Sequence, residues 1–482
     1  MLSGLNLKYK LIYKTSLYKL IKGEIMAFHR NKILLISSLA TAALALLAVS
    51  PNAVKADEIN SNQVTTNKVD ANATANSKNN SDVVNQSNVS KDDNENKANS
   101  NSKNSANPVS DNDKTAKQFT SAKATRSDTV ENGTWRSIRI SYDTVTHTLN
   151  LGGGHIKNKP IPFPGFSNAL SFDYIDWDDS SYVFDNRSVE TVNFTGKLSV
   201  EGSASFLFNN FVKLRSVNGI ENFDLKDVTD MSGMFYNCPS LEKLDLSKLF
   251  VPGETYKVTD MSNMFNYCIN LKELNLSNFK TDTVTNMASM FNACESLTDI
   301  DLSSFNTANV TDMSNMFYNC FAAKELNLAN FNTANVTNML GMFSNCYNLT
   351  SIKGLEKFNT AKVNRMEGMF FHCEALPTLN LSNFDTSNVN SIYQMFDGCK
   401  SLQNLDISSF DMTKATNKTY MLRGLSNLQT LVLGKKCVMA NTGLDTPGTW
   451  MNNNNDMWTS DELMDNYNGS TDYGVYTNEG TN

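Results

Sequence analysis

From Phe206 onward, apolar residues recur in two periods within a unit of about 26 residues. One unit, Leu271–Cys294, reads LKELNLSNFKTDTVTNMASMFNAC. Leu271, Leu274 and Leu276 form L-x-x-L-x-L, which predicts a short strand with one buried face. Met287, Met290, Phe291 and Cys294 follow at i, i+3, i+4 and i+7, the spacing of one face of a short helix. Thr285-Asn286 precedes that run, and Thr259-Asp260 and Thr311-Asp312 hold the same place in neighbouring units. Such side chains suit an N-cap, where an oxygen accepts an orphan backbone N–H. The pattern therefore predicts a coil made of a strand, a loop and a short capped helix. Phe279 marks the loop, with a Thr two residues later.

The unit repeats in register. Met-Phe-x-x-Cys stands at Met234–Cys238, Met264–Cys268, Met290–Cys294, Met316–Cys320, Met342–Cys346, Met369–Cys373 and Met395–Cys399, at steps of 30, 26, 26, 26, 27 and 26 residues. A fixed period of this size means stacked coils, and L-x-x-L-x-L is the strand signature of a leucine-rich repeat. The fold class is α/β: a solenoid with a parallel strand and a short helix per coil. Its core ladders are Met264, Phe265 and Cys268; Met290, Phe291 and Cys294; Met316, Phe317 and Cys320; Met342, Phe343 and Cys346. The array spans 206–434. Its first copy, Leu207-Phe208-x-x-Phe211, lacks Met and Cys, and its last, Met421-Leu422-x-x-Leu425, has Leu in the Cys slot, as expected of end coils that shield an open core.

The flanks differ in character. Residues 128–205 mix Gly, Pro and aromatics with alternating runs such as Ile138-Arg139-Ile140, and predict a small β-rich N-terminal cap with Trp135 and Trp177 in its core. Residues 435–482, with Trp450, Trp458, Tyr467, Tyr473 and Tyr476, either close the solenoid or begin a further module. Asp57–Gln118 holds 16 Asn in 62 residues and no Phe, Trp or Tyr. It cannot offset the entropy of ordering, so 57–127 is read as a disordered spacer. Ile33–Val49 is an uncharged apolar run after Arg30 and Lys32, followed by Val54-Lys55-Ala56. That layout predicts a signal peptide ending at 56, with no membrane insertion after cleavage. Met26 is the more natural start, which makes residues 1–25 an expected mis-called extension.

Composition narrows the chemistry. The chain has 482 residues, a formal net charge of −7 and four His. The acidic balance argues against nucleic acid, which requires a basic face. So few His, and no nucleophile beside a base, argue against an enzyme; no catalytic residue, cofactor or metal is expected. The array absorbs 14 of the 21 Met and seven of the eight Cys. One Cys per coil lacks metal-ligand spacing. The same slot accepts Phe211 and Leu425, so the thiols are expected to be buried packing groups. Cys437 lies outside the pattern and is expected to be exposed.

Alternation along the strands picks out side chains that point away from the core. Asp245, Glu273, Asn275, Asp299, Asp301, Glu325, Asn327 and Asp406 form a row that leans acidic and lacks aromatics. It is either a plain solvated face or a shallow binding surface with a preference for cationic partners.

The run L-x-x-L-x-L-S-x-F-x-T followed by V-T-x-M-x-x-M-F-x-x-C resembles the BspA-like leucine-rich repeat surface proteins of Gram-positive bacteria, lactobacilli among them. Phe194-Thr195-Gly196-Lys197 before Phe206-Leu207-Phe208 is similar to their lead-in. The resemblance covers about residues 130–435. It implies a right-handed solenoid at the cell surface or secreted, and adhesion to an extracellular protein or glycoprotein of host matrix, mucus or neighbouring cells. The other expected partner is a cell-wall polymer, with the protein a structural component of the producer's own envelope. No Leu-Pro-x-Thr-Gly sorting motif is present, which leaves the mode of anchoring open.

Overall fold

The computed structural model describes residues 129–157, 175–179 and 182–480. The expected signal peptide, start position and spacer lie outside the described residues, as does the side chain of Trp177.

The described residues begin with antiparallel strands. β1 (Val130–Trp135), β2 (Ile138–Asp143) and β3 (Thr148–Leu151) form a meander, and β5 (Ile175–Trp177) adds to the outer edge of β1 after β4 (Gly154–Lys157). Trp135, Ile140, Leu149 and Leu151 are buried beneath them. Parallel stacking begins within the same sheet. β3 pairs with β6 (Thr191–Phe194), and β6 with β8 (Ser216–Asn218), all parallel. A second parallel ladder joins β4, β7 (Leu198–Ser203) and β10 (Val228–Asp230), with β9 (Phe223–Asp224) beside β7. The first coil is therefore built directly onto a meander strand, which gives the end of the array a covered edge.

The repeats then contribute one short strand each, except the repeat at Leu297–Leu302, which contributes none. These are β11 (Lys243–Asp245), β12 (Glu273–Asn275), β13 (Glu325–Asn327), β14 (Ser351–Lys353), β15 (Thr378–Asn380), β16 (Asn404–Ile407) and β17 (Thr430–Leu433). Parallel pairs in register join β11 to β12, β13 to β14, and β15 through β16 to β17. At the far end β18 (Thr449–Met451), β19 (Met457–Thr459) and β20 (Gly474–Asn478) pair antiparallel, and β20 runs antiparallel along β17. Trp450 and Tyr476 are fully buried there. A helix, α1 (Ser460–Asn466), starts at Thr459 with a reciprocal capping box to Glu462.

The solenoid stands, but the helix expected in each coil does not form. The Met-Phe-x-x-Cys segment is a run of turns. Two residues in each segment, four apart, have positive φ: Asn263 at 58° and Tyr267 at 62°, Ser289 at 57° and Ala293 at 55°, Asn315 at 54° and Asn319 at 60°. A helix requires φ near −63° at every position, so such a pair breaks it twice. Backbone N–H groups instead alternate their partners. Ser289, Phe291 and Ala293 donate to carbonyls of the next coil, on Ser314, Met316 and Tyr318, at 2.8, 3.0 and 2.8 Å. The residues between them turn back three positions, as Asn292 does to Ser289 at 3.1 Å. The buried set is nonetheless the one the spacing picks out: Met287, Met290, Phe291 and Cys294 have no exposure.

The N-cap residues accordingly have another task. Asp260, Asn286 and Asp312 each accept the N–H two residues on, at 2.8, 3.0 and 2.8 Å, which makes Asx turns. Asn286 and Asn338 also donate through Nδ2 to Asp260 and Asp312 of the preceding coil.

Inside, the coils register through their side chains. Phe265, Phe291, Phe317 and Phe343 stack at centroid distances of 5.6, 5.7 and 5.9 Å with nearly parallel planes. Each such ring contributes about 1.5–3 kcal/mol by burial. A second ladder is polar. The hydroxyl of buried Thr307 donates to the Asn332 carbonyl at 3.0 Å and accepts the Asn332 N–H at 2.8 Å, and Thr281, Thr333, Thr360 and Thr386 repeat this. All eight Cys are free thiols and buried. Each repeat thiol donates to the Phe carbonyl one coil back, as Cys294 does to Phe265 at 3.3 Å. Cys437, expected to be exposed, is buried as well, since it makes the same contact to the Ile407 carbonyl at 3.3 Å beneath the terminal sheet.

Candidate binding surface

The strands place their outward residues in rows, because parallel pairing in register stacks equivalent positions. Lys243 lies opposite Glu273 and bonds it at 2.6 Å, and Lys353 bonds Glu325 at 2.8 Å. One row back, Lys272 bonds Glu242 at 2.8 Å. These pairs are exposed, so each contributes little to stability. Their effect is on charge: two of the acids on this face have a lysine on them.

The Asp and Asn at the strand ends are occupied differently. Asp245, Asn275, Asp301, Asn327 and Asp406 each accept the backbone N–H two residues later, at 2.9, 3.1, 3.0, 3.2 and 2.9 Å. They turn the chain out of the strand. The Ser247 and Ser303 hydroxyls and N–H groups hold the Asp245 and Asp301 carboxyls below the usual carboxylate range. Among the described residues, Asp299 accepts only from the neighbouring Thr298 hydroxyl, at 3.0 Å.

The backbone ladder is interrupted around Asp299–Asp301, which forms no strand with β12 or β13. A shallow depression of about 400 Å3 lies there, lined by Asp299, Asp301, Glu325 and Asn327 among others. Another, of about 440 Å3, lies over β15 to β17 and includes Asn380, Asn404 and Asp406. The structure thus brings four of the eight strand-face candidates around one hollow. Glu273 and Asn275 stand in β12, Asp245 in β11 and Asp406 in β16. All are exposed except Asp406, which is half-buried.

The ladder residues Met264, Phe265, Cys268, Met290, Phe291, Cys294, Met316, Phe317, Cys320, Met342, Phe343 and Cys346 are fully buried. Burial pushes the Cys268 and Cys346 thiols up to about 12. They are closed to solvent chemistry at neutral pH. Among the described residues no group of three or more His, Cys, Asp and Glu could hold a metal ion. His147 Nδ1 lies 2.9 Å from the Tyr142 hydroxyl, which also contacts Ser188 at 2.7 Å, and His155 Nδ1 lies 2.8 Å from Ser199 Oγ.

Attention to strand alternation misses a second row, along the turns. Tyr236, Tyr267, Tyr318, Phe321, Tyr347 and Tyr420 project there, half-buried or exposed. The available signal was the variable positions inside Met-Phe-x-x-Cys and just after it, where Tyr, Phe and Asn recur.

The family described as "Mycoplasma protein of unknown function, DUF285" matches at residues 203–325, 251–351 and 320–433. No curated protein matches the chain. Among solved structures, the chain is similar to a T. pallidum leucine-rich repeat protein at 17% identity and a TM-score of 0.23, covering 50% of this chain and 88% of that one. It is similar to a leucine-rich repeat protein from Eubacterium ventriosum at 14% and 0.27, covering 62% and 90%. One from Bacteroides ovatus gives 14% and 0.22, covering 61% and 92%. The family match and the stacked coils coincide over residues 203–433, where the chain builds a repeat solenoid.

Proposed function

We propose that this chain is a non-catalytic binding module of an exported bacterial surface protein, an adhesin that engages an extracellular protein or glycoprotein. The observation that carries this reading is the array itself: coils locked by cross-coil hydrogen bonds present rows of outward side chains over about 40 Å for eight coils at roughly 4.8 Å each. Such a surface is large enough for a protein partner and already ordered before binding. The apolar run Ile33–Val49, the Asn-rich spacer and the likeness to BspA-like proteins of Gram-positive bacteria support export and display. The family description names Mycoplasma and gives no function.

The test is binding of the purified protein to immobilised mucin, matrix proteins and the producer's stripped cell envelopes, at low and high salt. The adhesin reading expects binding to a host protein. Binding confined to the producer's own envelope would instead make the protein a structural surface component.

A further inference from the structure

The turn side of the solenoid carries a chemistry that the strand side lacks. Aromatic rings follow one another in two runs of coils, separated by the coil that carries Asn292, Ala293 and Glu295. Phe206, Tyr236 and Tyr267 stand at centroid distances of 5.9 and 5.8 Å, and Phe321, Tyr347 and His372 at 5.2 and 6.2 Å. Tyr318 belongs to the same row: its phenol is pushed up by burial and by the nearby Tyr347 and Tyr267. Residues with positive φ make room for these rings. A Cβ on Gly233 would meet the Phe206 ring at 2.4 Å, and one on Gly398 the His372 ring at 2.7 Å.

Over its middle the row carries one charge, the half-buried Glu295 in the slot that Phe321 and Tyr347 fill. The turns 262–268, 288–294, 314–320 and 340–346 contain only Ser, Asn, Ala, Gly, Leu, Tyr, Met, Phe and Cys. At its far end the charges are matched internally. Arg423 bonds Asp397 at 2.6 Å and lies 4.1 Å over the Tyr420 ring, and Glu374 sits between His372 and Lys400 at 3.1 and 2.9 Å.

We infer that this aromatic row, rather than the acidic strand face, is the principal docking surface, and that it takes a near-neutral protein surface; the inference rests on the proposed binding role. Tyr with Ser, Gly and Asn is the composition of antibody paratopes, where rigid rings supply contact area at low entropic cost and small polar groups supply adaptable hydrogen bonds. Tyr is enriched among the residues that dominate protein interfaces. The turns are pre-ordered by N–H groups bonded to the next coil, which lowers the cost of binding further. A flat sugar ring would need an open aromatic face. Here Phe206–Tyr236, Tyr236–Tyr267 and Tyr347–His372 meet edge to face at 62°, 68° and 72°, so in each pair one ring face is taken by its neighbour's edge, which suits a protein partner better than a stacked sugar.

The test uses the full chain against immobilised fibronectin, type I collagen and laminin, each native and enzymatically deglycosylated, and against a neutral glycan array. Tyr347 and Tyr420, at 37% and 41% exposure, are changed together to Ser and, separately, to Phe. A strand-face variant carries Glu273→Gln, Asp299→Asn and Glu325→Gln. The expected result is at least about tenfold weaker protein binding for the Ser pair, at both low and high salt, with thermal unfolding unchanged. The Phe pair and the strand-face variant stay within about threefold of the parent. Loss of binding in the strand-face variant, with the Ser pair unaffected, overturns the assignment. So does binding that disappears on deglycosylation, which makes the partner a glycan. No binding by the parent chain to any probe counts against the binding role itself, and the aromatic row falls with it.

Discussion

Ser289 has a φ of 57°, and the same place in other coils holds Gly233, Gly341 and Gly368 at 57°, 58° and 59°. A side chain in this region costs about 1–2 kcal/mol, and glycine gives back about 0.5–1 kcal/mol in unfolded-chain entropy. Ser289→Gly is therefore expected to stabilise the protein by up to about 1 kcal/mol, read as a higher guanidinium midpoint. Gly341→Ala should do the reverse, because its Cβ would stand 2.4 Å from Asn315 Oδ1. The thiols are a second residue-scale device. Burial pushes Cys268, Cys346 and Cys399 up to about 12, from an ordinary 9.0. A thiol that stays protonated in the folded state adds stability below the unfolded pKa, and that contribution is lost as pH rises from about 9 towards the folded value. At pH 10 each such thiol lowers stability by about 1.4 kcal/mol. The guanidinium midpoint should fall between pH 8 and pH 10, and fall less in Cys320→Ala; an unchanged midpoint would mean that water reaches the thiols.

At the scale of the element, one coil is held to the next by polar groups placed inside an apolar stack. Thr307 is fully buried and its hydroxyl serves both the N–H and the carbonyl of Asn332. Thr307→Val keeps the volume and removes both bonds, leaving two backbone groups unsatisfied. The expected loss is about 2 kcal/mol or more, measured as the shift in unfolding free energy. A loss under about 0.5 kcal/mol would mean that water replaces the hydroxyl. The element scale is also where the helix expectation failed. Met287, Met290, Phe291 and Cys294 fit a helical face and are buried as one, yet the chain between them is a pair of left-handed turns. The i, i+3, i+4, i+7 spacing reports which side chains share a side, and turns with the same repeat satisfy it equally. The recurrent Asn and Gly before Met and before Cys carried the information that a helix would be broken.

For the whole molecule, contacts run between neighbouring coils, so stability is close to a sum over interfaces and the ends are the weakest part. The meander at β1 to β3 and the sheet of β17 to β20 reduce this by covering the two open faces. Native-state hydrogen exchange should therefore protect the Phe291, Phe317 and Phe343 amides most, with protection falling towards β8 and β17. Uniform protection along the array would mean a single cooperative unit instead.

The repeat, its period, the buried ladders and the identity of the end coils were legible in the sequence, because stacking repeats the same apolar demand in every coil. Asp245, Asn275, Asp301, Asn327 and Asp406 were legible as outward-pointing, but not as turn-forming, since the acceptor role depends on where the following N–H is aimed. The pairing of Glu273 with Lys243 and of Glu325 with Lys353, the break in the ladder at Asp299–Asp301 and the aromatic row along the turns were decided by tertiary structure. The pairs join side chains 25 to 31 residues apart in the chain, which only coil-to-coil stacking brings within reach.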